Sequence, residues 1–343
     1  MIDIFVVTNR GLEQVSAEEM AALPGLQVSQ VGYRHINARY TGHAANLLAL
    51  CTVDDVFIRV GEWHEIGPHR STLALLEQLS MALDLWQAVN IRSQVQPLSN
   101  VPTFSVSANF VGKRNYSVDE IKLAVAKGVE AITGWQYQED DRESEINLRI
   151  FIEHEDALVG MRLGSSPLHR RTYKQGHVPG SLKPSVAAAL LMLAHVSPGI
   201  TVLDPCGGAG TILIEAALMG AYAQGGDIDA GAIAAAKRNA SAAGVEIDVQ
   251  QWDARALPLA DGSVERIVTN MPWGRQVEVE KPLWQLYRDA CAEMERVLAD
   301  GGRIVVLTNV PQLVTFANLT IEKQIEISLF GQQPTIVIAG KQQ

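Results

Sequence analysis

The chain has 343 residues, a formal net charge of −10, ordinary apolar content, few aromatics and three cysteines, which allows two or three domains with a core each and excludes a globally basic nucleic-acid-binding surface. Cys51, Cys206 and Cys291 are too scattered for a disulfide framework or a zinc site, so no metal is expected. The longest apolar run, Val186 to Val196, is too short to span a bilayer, and Met1 to Phe5 lacks the marks of a secretory signal, so a cytoplasmic protein with reduced thiols and no membrane association is expected.

From the amino terminus, Asp3 to Thr8 alternates as a strand, and Gly11-Leu12-Glu13 leads into an amphipathic helix to Leu23 that Pro24-Gly25 closes. Strands are expected at Gln27 to Val31, Ile36 to Tyr40 and Val56 to Trp63, and helices near Ala44 to Leu50 and at Ser71 to Met81. Leu83 to Val89 leads on to Pro97. Thr103 to Phe110 has a strand period, and Ser117 to Thr133 is a helix with Ser117 and Glu120 spaced as a capping box. Ile146 to His154 and Ala157 to Leu163 are the last strands of this half. Between them and the helix, Glu139, Asp140, Asp141, Glu143 and Glu145 form an acidic loop that RNA would avoid.

From Ala157 to Leu203 there is no acidic residue, whereas Arg162, Arg170, Arg171, Lys174 and Lys183 are all present. Guanidinium forks match phosphate oxygens, so this stretch is a local candidate for contact with RNA. Its middle, Leu168 to Pro184, is too rich in Pro and Gly for a helix and reads as a bridge into a second domain.

After Ser185 strand and helix alternate. Strands fall at Thr201 to Leu203, Ala221 to Asp227, Val245 to Gln251, Arg266 to Asn270 and Arg303 to Thr308; helices at Ser185 to His195, Thr211 to Met219, Ala230 to Ala243 and Leu283 to Leu298. Such alternation predicts a parallel sheet covered on both faces. Ile321 to Phe330 and Pro334 to Ala339 form a terminal hairpin.

The chemistry concentrates at the ends of these strands. Asp204-Pro205-Cys206-Gly207-Gly208-Ala209-Gly210 joins the first strand to a helix, and Gly208 and Gly210 permit positive φ and close approach of a ligand. Leu213 stands where a pyrophosphate loop has its third glycine, so the turn suits a phosphate-free cation such as S-adenosylmethionine. Asp204 would attract its positive groups, and Asp227 or Asp229 its ribose, with Asp227 directly after the second strand favoured. Asp253 follows the third strand, where it can accept from the adenine amine. Asn270-Met271-Pro272-Trp273 ends the fourth. The Asn270 amide oxygen and a backbone carbonyl at Met271 or Pro272 can accept the hydrogens of an exocyclic amine and aim its lone pair at a methyl group, while Trp273 can stack on a flipped base.

Phe104 to Phe110, the turn Gly112-Lys113-Arg114-Asn115-Tyr116-Ser117, the following helix and the strands ending Val159-Gly160-Met161-Arg162-Leu163 resemble a THUMP domain. Gly11-Leu12-Glu13 and its acidic helix resemble the ferredoxin-like segment that precedes THUMP in RNA-modifying enzymes. With the terminal hairpin and the Asn-x-Pro-aromatic motif, nearly the whole chain resembles the THUMP-containing RNA guanine-N2 methyltransferases, above all those acting at guanosine 6 of tRNA. The resemblance implies an α/β fold: a Rossmann-like class I methyltransferase sheet with a terminal antiparallel hairpin, preceded by an α+β ferredoxin-like and THUMP region. The expected boundaries are 1–60 for the ferredoxin-like segment, 61–165 for THUMP, 166–184 for a basic linker and 185–343 for the methyltransferase. It also implies binding of the tRNA acceptor stem by Arg162, Arg170, Arg171, Lys174, Lys113 and Arg114, and a place for Ser181 to Pro184 against the cofactor. The chain departs from relatives at Gly207, where many carry Cys, and at Met271, where many carry Pro or Leu. Asn-x-Pro-aromatic also occurs in enzymes that methylate adenine or glutamine amides, and ribosomal RNA guanine is a further alternative.

Overall fold

The computed structural model describes residues 1–175, 180–274 and 282–341. They divide into two compact units, Met1–Thr8 with Ala17–Leu168, and Asn9–Ser16 with the chain from His169 onward.

In chain order the first unit contains β1 (Ile2–Val7), most of α1 (Glu13–Ala22), β2 (Leu26–Val31), β3 (His35–Tyr40), β4 (Asp55–Trp63), α2 (Thr72–Met81), α3 (Trp86–Val95), β5 (Thr103–Val111), α4 (Val118–Thr133), β6 (Gln136–Tyr137), β7 (Ile146–Glu153) and β8 (Asp156–Arg162). The strands form one sheet in the order β2-β3-β1-β4-β8-β7-β5-β6. Strand periodicity sorts its side chains. Ile4, Val6, Val56, Ile58, Leu148 and Ile150 share a core with Met20, Leu76, Ile121 and Val125 from the helices, while the alternate positions Phe5, Phe57 and Phe151 make a separate aromatic cluster. The Ser117–Glu120 capping box forms at the start of α4 as its spacing predicts. The segment expected as a helix near Ala44 to Leu50 is instead a 3-10 helix, Ala44–Ala49, since so short a run does not offset the cost of α-helix nucleation.

The second unit carries α5 (Pro184–Leu193), β9 (Thr201–Asp204), α6 (Thr211–Leu218), β10 (Tyr222–Asp227), α7 (Ala230–Ala243), β11 (Asp248–Gln251), β12 (Val264–Asn270), α8 (Leu283–Val297), β13 (Leu298–Thr308), β14 (Thr320–Glu326) and β15 (Thr335–Gly340). Its sheet runs β11-β10-β9-β12-β13-β15-β14. The first five positions are parallel, and β15 is antiparallel to both of its neighbours. Chain order therefore reverses between β9 and β12, and the crevice at their carboxyl ends is the place where an open α/β sheet takes its ligand. β11 and β14 are shorter than expected by more than a residue. β11 starts only at Asp248, because the Val245 N–H turns back to the Ala240 carbonyl at the end of α7. β14 ends at Glu326, ahead of a tight turn closed by Leu329 and Gln332. No helix among the described residues is long and apolar enough to cross a membrane.

Candidate active site at the switch point of the second unit

Asp204 is the last residue of β9 and is 2% exposed. Its Oδ1 accepts from the Thr269 hydroxyl at 2.7 Å and from the Cys206 N–H at 3.2 Å. Thr269 lies on β12, one residue before Asn270, so this bond ties together the two strand ends that flank the switch point. Burial pushes the Asp204 pKa up to about 7; the two donors oppose the rise, and nearby Asp227 adds to it. Among the described residues no cation pairs with Asp204.

The loop after it is shaped by backbone bonds. The Gly207 N–H donates to the Gly226 carbonyl at 2.8 Å, and the Gly208 N–H to Asp227 Oδ2 at 2.9 Å. Gly210 stands at φ 79° ahead of α6, and a Cβ there would lie 2.9 Å from that of Ala236. A Cβ on Gly208, at φ 50°, would meet nothing within 4 Å, so its backbone borders open space. A buried carboxylate that no described cation meets, beside a glycine turn whose Gly208 has room for a close neighbour, fits the cationic, phosphate-free S-adenosylmethionine. Asp227 Oδ1 accepts from the Asp229 N–H at 3.0 Å, so both its oxygens are oriented by main chain, whereas exposed Asp229 caps α7 through the Gly231 N–H at 2.8 Å. Asp253 forms a two-pronged pair with Arg255, at 2.9 Å from Nε and 2.6 Å from Nη2.

Asn270 ends β12. Its Oδ1 accepts from the Trp273 indole N–H at 3.1 Å, and its Nδ2 lies 3.4 Å from the Gly180 carbonyl. The Met271 N–H donates to the Leu307 carbonyl on β13 at 3.1 Å, and the Pro272 carbonyl accepts from the Tyr287 hydroxyl at 3.1 Å. Trp273 is partly buried against the core of this unit. Ser181 Oγ sits 3.4 Å from Thr211 Oγ1 at the first turn of α6, and Pro184 takes the first position of α5. The part of the expected bridge at His177, Val178 and Pro179 lies outside the described residues.

The residues expected to bind RNA separate into two kinds. Arg162, 5% exposed, is committed to Asp55 at 2.7 Å and Asp141 at 2.6 Å, which corrects its assignment to an RNA surface. Arg114 is spent on the main-chain carbonyls of Ile66, Gly67 and His154 and on the Tyr116 hydroxyl. Arg171 pairs with buried Glu215 at 3.2 Å, and Tyr173 donates to the same carboxylate at 2.7 Å. Lys174 donates to the Leu182 carbonyl, and burial lowers its pKa to about 8. These arginines and this lysine brace the fold. Lys113 in the first unit and Arg170 in the second are exposed.

The sequence reading missed Thr269 and Trp252. Trp252 donates from Nε1 to the Pro205 carbonyl at 3.2 Å and fits only because Gly226 has no side chain; a Cβ there would fall 2.3 Å from the indole. The signal available was the Gly225-Gly226 pair in the middle of a strand. An open groove lined by Thr201, Tyr222, Lys237, Glu246 and Asp248 lies at the amino ends of β9, β10 and β11, the edge opposite Asp204 and Asn270.

A parallel sheet with a terminal antiparallel hairpin, a glycine turn after β9 and Asn-x-Pro-aromatic after β12 defines the class I, S-adenosylmethionine-dependent methyltransferase fold. Residues 171–327 match UPF0020, the RMKL-like methyltransferase domain. A tRNA (guanine(6)-N2)-methyltransferase of Thermus thermophilus is 31% identical over 325 residues, covering 90% of this chain and 89% of that protein. The tRNA (guanine(6)-N(2))-methyltransferase THUMP3 of Bos taurus is 31% identical over 236 residues, 64% of this chain but only 46% of the bovine protein. The crystal structure of TrmN from Thermus thermophilus aligns over 100% of both chains with a TM-score of 0.81 at 26% identity. The chain belongs to the tRNA (guanine-N2)-methyltransferase family.

Proposed function

We propose that this chain transfers the methyl group of S-adenosylmethionine to the exocyclic N2 of a guanosine in tRNA, at position 6 in the acceptor stem. The observation that carries the reading is the Thr269–Asp204 bond, which holds a buried carboxylate, unpaired with any cation among the described residues, next to the Asn270 motif at the switch point. The relatives named above support the choice of base and RNA. In this reading residues 1–60 and 61–165 are the ferredoxin-like and THUMP regions that engage RNA, with Lys113 exposed among them. Residues 166–184 form the basic linker carrying Arg170, and 185–343 the methyltransferase of a cytoplasmic enzyme.

S-adenosylmethionine, when bound, supplies a methyl group activated by a sulfonium leaving group. The chain's own residues do the rest. Asp204 attracts the cofactor's positive groups, Gly208 and Gly210 leave room for it, Asp227 accepts from the ribose and Asp253 from the adenine amine, with Ser181 and Pro184 alongside. An amide oxygen has two lone pairs, and the Trp273 N–H uses one on Asn270 Oδ1. The other is left for the guanine amine, whose second hydrogen goes to the backbone carbonyl of Met271 or Pro272, the latter keeping a lone pair beside its bond from Tyr287. These acceptors stabilise the positive charge that grows on N2 as the new bond forms, and Trp273 offers its face to the base.

The test is incubation of the purified protein with labelled S-adenosylmethionine and total tRNA, followed by nucleoside digestion and mass spectrometry. N2-methylguanosine is expected from the wild type and not from Asn270→Ala. Label in ribosomal RNA, in protein or nowhere would overturn the substrate assignment.

A further inference from the structure

Tyr287 lies on α8 with no exposed surface. Its hydroxyl is 3.1 Å from the Pro272 carbonyl and 2.6 Å from Thr308 Oγ1, and Thr308, the last residue of β13, is in turn reached by the Val310 N–H at 3.0 Å. A phenol carries one proton and so does a threonine hydroxyl. All three contacts are satisfied in one order only: the Val310 N–H donates to Thr308 Oγ1, the Thr308 hydroxyl to Tyr287 Oη, and the Tyr287 hydroxyl to the Pro272 carbonyl. Burial raises the Tyr287 pKa, so the phenol keeps the proton that this chain requires. Bonds aligned head to tail in a dry interior polarise one another.

The end of that chain is a sensitive place. Among the described residues the Met271 N–H is the last of this segment bonded to the sheet, through the Leu307 carbonyl, and Pro272 has no N–H to offer. Trp273 follows directly and returns its indole N–H to Asn270 Oδ1. A tilt of the Pro272 peptide therefore moves Trp273 and, through it, the amide oxygen that meets the amine.

We propose that Tyr287, oriented by Thr308, is a positioning residue of the transferase site: by holding the Pro272 carbonyl it sets the direction of Asn270 Oδ1 and the plane of Trp273. The inference rests on the reading of Asn270 as the amine acceptor. It also assigns a role to α8, none of whose residues the motifs single out. Tyr287 itself touches neither cofactor nor base, so its removal alters the turnover rate rather than cofactor binding.

The experiment uses the full chain, labelled S-adenosylmethionine and tRNA, with kcat and both KM values measured for Tyr287→Phe, Thr308→Val, Thr308→Ser and the Tyr287→Phe/Thr308→Val double variant. Thermal unfolding is followed in parallel. Tyr287→Phe is expected to lower kcat about 10- to 100-fold with the cofactor KM within about twofold of wild type. Thr308→Val should lower kcat less, Thr308→Ser should restore it, and the double variant should be no slower than Tyr287→Phe alone, because the two hydroxyls act in series. Wild-type kcat in Tyr287→Phe overturns the proposal, as does a Thr308→Ser variant as slow as Thr308→Val. So does a fall in kcat matched by a rise in cofactor KM and an early unfolding transition, the pattern of a merely structural side chain. If the wild type itself transfers no methyl group, the reading of Asn270 fails and this inference with it; an active wild type beside an unimpaired Tyr287→Phe removes the inference alone.

Discussion

Asp55 in the first unit and Asp204 in the second are both buried aspartates, 6% and 2% exposed, and they differ in what faces them. Asp55 has the Arg162 guanidinium at 2.7 Å, and Arg162 in turn holds Asp141. Asp204 has a threonine hydroxyl and one backbone N–H. Burial outweighs these partners in both cases, lifting Asp55 to about 6 and Asp204 to about 7. A buried carboxylate that brings its own cation is part of the architecture; one met only by neutral donors among the described residues is, in the proposed function, the one that receives the cationic cofactor.

The contrast is broken most forcefully at Arg162. Arg162→Ala strands Asp55 without its counter-ion, and a loss of about 3–5 kcal/mol is expected in denaturant unfolding. Retention of wild-type stability would mean that the pair is dispensable.

Asp204→Asn is expected to act the other way. It keeps the size and the hydrogen-bonding shape, so the fold persists, while affinity for S-adenosylmethionine measured by calorimetry falls about 10- to 100-fold, or roughly 1.4–2.7 kcal/mol. An unfolding transition that collapses in this variant, or an unchanged affinity, would erase the distinction between the two aspartates.

The pH dependence sharpens it further. Asp204 binds its proton more tightly folded than unfolded, so the stability it contributes is present at low pH and is lost as pH rises from about 4 through about 7. A cationic ligand favours the ionised form, so cofactor affinity should climb as pH rises through about 7 and then level off. That climb should vanish in Asp204→Asn; a calorimetric titration with the same slope in both proteins would contradict the assignment.

The smallest effect is expected at the exposed cation. Arg170→Glu should weaken tRNA binding a few-fold at low salt and flatten its salt dependence, with cofactor affinity unchanged. Reversal of paired Arg171, which faces Glu215, should instead show itself in stability. RNA affinity equal to wild type in Arg170→Glu would move the RNA contact elsewhere.

These variants also mark how far the sequence could be read. The order of strands and helices apart from α3 and β6, the capping box at Ser117 and Glu120, the glycine turn after Asp204 and the terminal hairpin were legible because each is a local signal: a period, a spacing or a positive φ. The placing of Asp204 and Asn270 at the carboxyl ends of parallel strands was legible too, because strand and helix alternate along this half of the chain. The fate of the basic stretch was not. Its acidic partners come from far along the chain, Asp55 and Asp141 for Arg162 and Glu215 for Arg171, and a stretch free of acids says nothing about acids folded against it. Thr269 and Tyr287 stayed hidden for the same reason.

Most of the succession of elements, the class of sheet and the strand ends where chemistry gathers follow from the sequence alone, since backbone conformation and hydrophobic period are set within a few residues. Only the tertiary structure decided which charges are spent inside the fold and which side chains orient the Asn270 motif. Ion pairing and hydrogen bonding in a buried site depend on through-space neighbours that can lie a hundred residues apart in the chain.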